Sequence, residues 1–214
     1  MPDRAEGHLT FIIGGARSGK STHAECLVAA SPSPWAYIAT AQAYDEEMRE
    51  RIALHRSRRG KGWVTVDAPL DLVGAIDALP DHQPVLIDCL TLWLSNHMLA
   101  DHDIEAECRR LSDVLSQPRG PWFVVSNEVG LGIVPDNALA RRFRDAAGRL
   151  NQQVAAVADS VLMMVAGLPL KVKWARSKTR SSTTRMPNAI EPRWPSARRC
   201  RMPRWPARRS RRDC

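Results

Sequence analysis

At 214 residues the chain has the length of one domain with at most an appendage, since domains run to ~100–200 residues. Its 44% apolar and 25% charged composition is globular and excludes collagen-like, mucin-like and wholly disordered chains. The formal charge of +8 is unevenly spread: residues 174–214 hold 13 Lys and Arg against Glu191 and Asp213, a net of +11, which leaves −3 on residues 1–173. The high pI therefore belongs to the last 41 residues and gives no ground for reading the body as a nucleic-acid or membrane binder.

The most apolar stretch, Val154 to Leu170, is broken by Asp159, short of the ~20 apolar residues that a spanning helix needs. The start, MPDRAEGHLTFIIGG, has no apolar signal-peptide core, so a cytoplasmic address is expected. Cys26, Cys89, Cys108, Cys200 and Cys214 are odd in number and form no CxxC pair, so they read as idle or buried thiols and not as a disulfide or zinc framework.

In chain order, Leu9–Ile13 reads as a strand running into glycines, and Ser21–Ala30 as a helix with Ala24, Leu27 and Val28 on one face. SPSP at 31–34 punctuates, Trp35–Ala39 is a second strand, and Asp45–Arg59 a charged helix with Met48, Ile52 and His55 on one stripe. Thr65–Val66 reads as a short strand, Leu70–Leu79 as a helix, Pro84–Leu90 as a buried strand and Ile104–Leu115 as a helix closed by the QPRG turn. Trp122–Ser126 is another buried strand, residues 136–158 a long amphipathic helix, and Ser160–Val165 a further strand. Strands that are unbroken apolar runs, alternating with helices, predict an α/β fold whose mostly parallel central sheet is flanked by helices on both faces.

Residues 174–214 follow no such pattern. Their Arg, Pro, Ser and Trp content and the near-repeat of PRWPSARR as PRWPARR predict disorder. A nucleic-acid-binding arm with interleaved aromatics and a shifted reading frame after Lys173 are the other readings. The expected organisation is a body over 1–173 and a basic tail over 174–214.

Gly14, Gly15, Ala16, Arg17, Ser18, Gly19, Lys20 and Ser21 fit G-x-x-x-x-G-K-[ST] between a predicted strand and a predicted helix, the context that a phosphate-binding loop requires. Its backbone N–H groups and the helix N-terminus would cradle phosphate, Lys20 would neutralise the outer phosphates, and Ser21 would ligate Mg²⁺. Asp88, ending Val85-Leu86-Ile87, supplies the second metal acid, or else caps its strand. The loop establishes a nucleotide binder without choosing the reaction. His55, followed by Arg56, Ser57, Arg58, Arg59 and Lys61, reads either as a surface histidine or as a neutral imidazole able to attack phosphorus among charges that suit a triphosphate. His23, His82, His97 and His102 lack that setting and read as structural.

Taken together, GGARSGKS, IATAQAYDEEMRERIALHRSRR, Trp63–Asp67, LIDCLTLWLSN and above all SNEVGLGIVPDNALARRFRDAAGRLNQQVAAVAD resemble one family closely. From about Leu9 to Lys173 the chain is similar to the bifunctional adenosylcobinamide kinase/adenosylcobinamide-phosphate guanylyltransferases. The resemblance implies a RecA-like P-loop fold, phosphorylation of the aminopropanol hydroxyl of adenosylcobinamide with ATP or GTP, and transfer of GMP from GTP to that phosphate, giving adenosyl-GDP-cobinamide and pyrophosphate. It places the guanylylated histidine on His55, within the pattern of Arg51 and Ile52. Nucleotide contacts then fall on Gly14 through Ser21, on Ala39, Thr40 and Ala41, on Arg56, Ser57, Arg58 and Arg59, and on Asp67 and Asp88. Family members often carry Glu where this chain has Asp67 and Asp88, which withdraws each carboxylate by one methylene. A homotrimer is also implied. The competing readings are a P-loop GTP-binding switch and a nucleic-acid binder acting through its tail.

Overall fold

The computed structural model describes residues 7–42, 46, 49–50 and 60–173. His55, residues 56–59 and the basic tail lie outside the described residues, as does most of the charged helix expected over 45–59. The described elements are, in order, β1 (His8–Gly14), α1 (Lys20–Val28), β2 (Trp35–Ala39), β3 (Trp63–Asp67), α2 (Leu72–Asp77), β4 (Val85–Asp88), α3 (Leu90–Leu99), α4 (Ile104–Leu115), β5 (Pro121–Asn127), α5 (Ala138–Val157), β6 (Ser160–Val165) and β7 (Leu168–Lys173). The strands make one sheet in the order β3-β2-β4-β5-β1-β6-β7. Every pairing is parallel except β6 with β7.

Successive side chains of a strand point to opposite faces, and here both faces are buried. Phe11, Ile38, Ile87 and Val124 enter the larger core with Trp93, Leu94, Leu111, Leu150 and Val154 from the helices. Their neighbours Ile12, Tyr37, Leu86 and Val125 enter the smaller core with Ala24 and Val28 of α1. This two-sided burial is why the strands read as unbroken apolar runs, and the expected parallel α/β sheet is the one observed.

The expected elements differ from the observed ones in three places. The strand expected over Pro84–Leu90 stops at Asp88, and Leu90 opens α3, a helix not among those expected. Cys89 sits between them at φ 80°, and α3 buries Leu90, Thr91, Trp93, Leu94, Asn96 and His97. A helix buried on most sides shows no amphipathic stripe, so its apolar run continues that of the strand before it. The chain also pairs onward through Leu168–Lys173, an antiparallel edge strand reached by a tight turn with Ala166 at φ 51° and Gly167 at φ 83°, the doubly left-handed geometry of hairpin turns. The short strand expected at Thr65–Val66 spans Trp63–Asp67. No helix among the described residues is long and apolar enough to cross a membrane.

Candidate functional site

All five central and outer parallel strands that carry candidate residues end at one rim of the sheet. Gly14, Ala39, Asp67, Asp88 and Asn127 close β1, β2, β3, β4 and β5 respectively. Ligands in open α/β sheets bind outside such carboxyl ends.

The helices fall into two groups by their N-termini. Asp71, Asp103 and Asn137 cap α2, α4 and α5, each accepting backbone N–H bonds through its side chain. By contrast, α1 begins at Gly19 and α3 at Cys89, and neither has a side-chain cap. Three helices thus satisfy orphan donors with a capping side chain, while α1, which opens directly out of the phosphate loop, leaves its own for a ligand. Glycine at position 19 follows from its φ of 93°, and at position 14 from space, because a Cβ there would stand 2.6 Å from the Met164 carbonyl oxygen. Gly15, Ala16 and Arg17 are exposed on the outer curve of the loop, and the amide of Gly167 donates to the Ser18 carbonyl at 3.0 Å, tying the loop to the β6–β7 turn.

Lys20 is only 8% exposed, and its ammonium donates to the Gly15 carbonyl at 2.7 Å, folded back across the loop. Burial lowers its pKa below the ordinary lysine value, against the opposing pull of Cys89 and Asp88. Ser21 Oγ donates to Asp88 Oδ1 at 3.2 Å, so the two residues expected to hold a metal ion are adjacent although β5 stands between β1 and β4 in the sheet. Tyr37 donates its hydroxyl to the other carboxylate oxygen, Oδ2, at 2.5 Å. The resulting oxygen set, one hydroxyl and one carboxylate next to a phosphate loop, suits Mg²⁺, which takes few protein ligands and shares phosphate oxygens. No group of three or more potential ligands among His, Cys, Asp and Glu occurs among the described residues, so a closed all-protein cage is not what this rim offers.

Beside Asp88, a second polar cluster joins the start of α3 to the end of β5. Asn127 Nδ2 donates to Thr91 Oγ1 at 2.7 Å and to Cys89 Sγ at 3.4 Å, while Asn151 Nδ2 donates to the Asn127 carbonyl at 3.1 Å. Burial raises the Cys89 thiol above its ordinary pKa, so at neutral pH it is a neutral thiol.

The remaining expected contacts divide. Ala39 ends β2 opposite both Asp67 and Asp88, and Ala41 follows at the half-buried rim. Thr40 is fully buried, with its hydroxyl 2.8 Å from the carbonyl oxygens of both Asp88 and Cys89 and its own carbonyl accepting from Asn96 Nδ2 at 2.8 Å. Its side chain therefore stitches β2 to the β4–α3 junction, leaving it no free hydroxyl for nucleotide. Asp67 lies at the rim but two strand spacings from Asp88, ~10 Å away, on the exposed edge strand. His97, read as structural, is buried against Trp93 and hydrogen-bonded to the Leu70 carbonyl. The sequence reading missed Tyr37, Thr91 and Asn127. For Tyr37 a signal existed: it stands two residues before Ala39, hence on the same face of β2, and Ala39 is level with Asp88.

Residues 10–172 match the family model described as cobinamide kinase / cobinamide phosphate guanyltransferase. The chain is 46% identical over 166 residues to the bifunctional adenosylcobalamin biosynthesis protein CobP of Pseudomonas aeruginosa, covering 76% of this chain and 96% of that one. It is 38% identical over 182 residues to the corresponding CobU protein of Salmonella typhimurium, with 77% and 99% covered, and 39% identical over 181 residues to that of Escherichia coli, with 77% and 99% covered. Solved structures similar to it include the RadB recombinase, at 17% identity, 74% coverage of each chain and a TM-score of 0.45. A KaiC-like protein from Pyrococcus horikoshii is similar at 14% identity, 84% coverage of each chain and a TM-score of 0.45.

Proposed function

The chain belongs to the cobinamide kinase / cobinamide phosphate guanyltransferase family, whose relatives are bifunctional proteins of adenosylcobalamin biosynthesis, and from that premise we propose that it carries out two successive transfers. In the first, the aminopropanol hydroxyl of adenosylcobinamide takes the γ-phosphoryl group of ATP or GTP. In the second, the phosphate so formed takes GMP from GTP, giving adenosyl-GDP-cobinamide and pyrophosphate. The observation that carries the reading is the meeting of Ser21 and Asp88 at 3.2 Å beside an uncapped P-loop helix.

For the kinase step, the loop amides and the α1 N-terminus hold the phosphates, and Lys20 leaves the Gly15 carbonyl to pair with the outer phosphate oxygens. Ser21 and Asp88 would hold Mg²⁺, which would supply positive charge against the phosphates. Tyr37 fixes the Asp88 carboxylate from behind. No protein nucleophile is needed, because an oriented substrate hydroxyl attacks in line. For the nucleotidyl step, His55 attacks the α-phosphorus of GTP, forming a P–N bond as pyrophosphate leaves. The substrate phosphate then displaces the imidazole, so that one difficult displacement becomes two. Arg56, Arg58 and Arg59 neutralise the triphosphate in this reading, Ala39, Ala41 and Asp67 line the nucleotide at the rim, and a homotrimer working in the cytoplasm is the expected form.

The test is one set of assays on wild type, Lys20→Ala and His55→Ala. With α-labelled GTP, wild type should acquire an acid-labile, alkali-stable label that His55→Ala lacks, while His55→Ala still phosphorylates cobinamide. Lys20→Ala should lose phosphorylation and bind nucleotide more weakly. Label retained by His55→Ala would refute the covalent role, and normal phosphorylation by Lys20→Ala would refute the assignment of the loop.

A further inference from the structure

The loop that follows β5 holds a set of large apolar side chains outward, next to the phosphate site and with no part in the chemistry described above. Leu131 is 80% exposed, Ile133 97% and Val134 56%, and Leu139 at the start of α5 is 54% exposed. The loop is nonetheless firmly built. Its first residue past the strand, Glu128, donates its amide to the Gly14 carbonyl at 2.9 Å and accepts from the Gly130 amide at 2.5 Å. At its far end Arg141 Nη1 donates to the carbonyls of Pro135 and Asp136 at 2.9 and 2.6 Å, and Asn137 caps α5. Val129 turns inward to the larger core. Apolar side chains fixed outward by polar bonds at both ends cannot collapse onto the body, and such patches on soluble proteins mark binding surfaces.

Position identifies the occupant. The hydrogen bond from the Glu128 amide to the Gly14 carbonyl places the root of the loop against the first glycine of the phosphate loop, and Leu131 follows three residues later, within ~11 Å along the chain. Whatever covers this patch therefore borders the group being phosphorylated. The nucleotide is polar and is provided for by the loop amides and charged residues, whereas the acceptor is a broad macrocycle with a methyl-bearing rim and its reactive hydroxyl on a side arm. We infer that Leu131, Ile133 and Val134 form the docking surface for the apolar face of the corrin ring, steering the aminopropanol arm toward the γ-phosphate. The inference rests on the kinase reading given above. A loop held in place before binding also spares the cost of ordering it when substrate arrives.

The experiment is the double variant Leu131→Ser/Ile133→Ser in the full chain, both sites being strongly exposed so that no core contact is lost. Kinase kinetics with cobinamide and ATP, equilibrium dialysis of cobinamide without nucleotide, thermal unfolding and sedimentation are measured side by side with wild type. Expected is a rise of at least tenfold in KM for cobinamide and an equally weakened dialysis affinity, with kcat, KM for ATP and the thermal midpoint little changed. A cobinamide KM and affinity within twofold of wild type would overturn the inference. So would a change in sedimenting mass with cobinamide binding intact, which would assign the patch to contacts between copies of the chain. If wild type itself fails to phosphorylate cobinamide, the functional reading falls and this inference with it, an outcome distinct from an active wild type matched by an unimpaired variant.

Discussion

Tyr37→Phe is the most discriminating single change at this site because it removes one oxygen and leaves the packing. Tyr37 is 4% exposed and its ring meets Trp63 edge-on at 6.1 Å between centroids, a contact that phenylalanine keeps. What is lost is the 2.5 Å hydrogen bond to Asp88 Oδ2. Bonds to a charged acceptor contribute ~1.5–3 kcal/mol. Asp88 is half-buried, so water can partly replace the missing donor, and the low end of that range applies: ~1.5 kcal/mol, or about tenfold in rate or affinity. Because Asp88 Oδ1 still faces Ser21, the carboxylate becomes free to rotate, not absent. The defect should therefore appear as a raised Mg²⁺ requirement of the kinase step with a smaller effect on nucleotide affinity measured without Mg²⁺.

The assay is the Mg²⁺ dependence of cobinamide phosphorylation, run for wild type, Tyr37→Phe, Asp88→Asn and the double variant. If Tyr37 acts through Asp88, its removal in the Asp88→Asn background should add little, the non-additivity expected of one hydrogen-bonded unit. An unchanged Mg²⁺ profile in Tyr37→Phe, or full additivity of the two changes, would refute the reasoning and reduce Tyr37 to a core tyrosine.

Two further outcomes follow from the fold. Burial lowers the pKa of His23, and burial first, with the His102 and Arg110 charges, lowers that of His97, so below pH 6.5 the unfolded chain takes up protons that the folded one refuses, and stability should fall as the pH drops from 7 to 5; urea melts at the two pH values should show a shallower loss in His23→Gln, and an identical loss would refute the assignment. Truncation after Lys173 should leave both activities and the thermal midpoint intact, since the matched family region ends at residue 172 and Lys173 itself, retained by the cut, donates to the Ala155 and Ala156 carbonyls at 2.9 and 2.8 Å at the end of α5; loss of either activity in steady-state assays would show that the tail is required.

How far the sequence carried the structure depends on whether a signal is local. The phosphate loop was legible because its glycines, lysine and serine are consecutive and flanked by a strand and a helix, each of which announces itself. Asp88 was legible as the acid ending an apolar run. By contrast α3 was not, because Leu90 continues the apolar run of β4 and only the left-handed Cys89 separates them, a backbone feature that no residue type at that position signals. Thr40 is the opposite case. Its place among the expected nucleotide contacts came from family likeness, and the full burial of its side chain depends on two carbonyls nearly fifty residues away in the chain, a partnership that no spacing rule reads.

Tyr37 and Asn127 lie between those extremes, and they explain why the rim works as a unit. Each belongs to a strand flanking β4 or β1, each sits at or near the strand's last residue, and each turns a polar group toward the β4–α3 junction. In a parallel sheet, neighbouring strands end side by side at the ~4.8 Å strand spacing, so polar residues that terminate apolar runs are brought together whatever their separation in sequence. Taking the carboxyl ends of all the parallel strands together, and not strand by strand, joins Gly14, Ala39, Asp88 and Asn127, with Tyr37 two positions back on the face of β2 that Ala39 shares. The same reasoning sets the loop after Asn127 apart: among the described residues it is the connection from this rim whose large apolar side chains, Leu131, Ile133 and Val134, are exposed, the expected character of a segment that meets a hydrophobic acceptor where its neighbours meet phosphate.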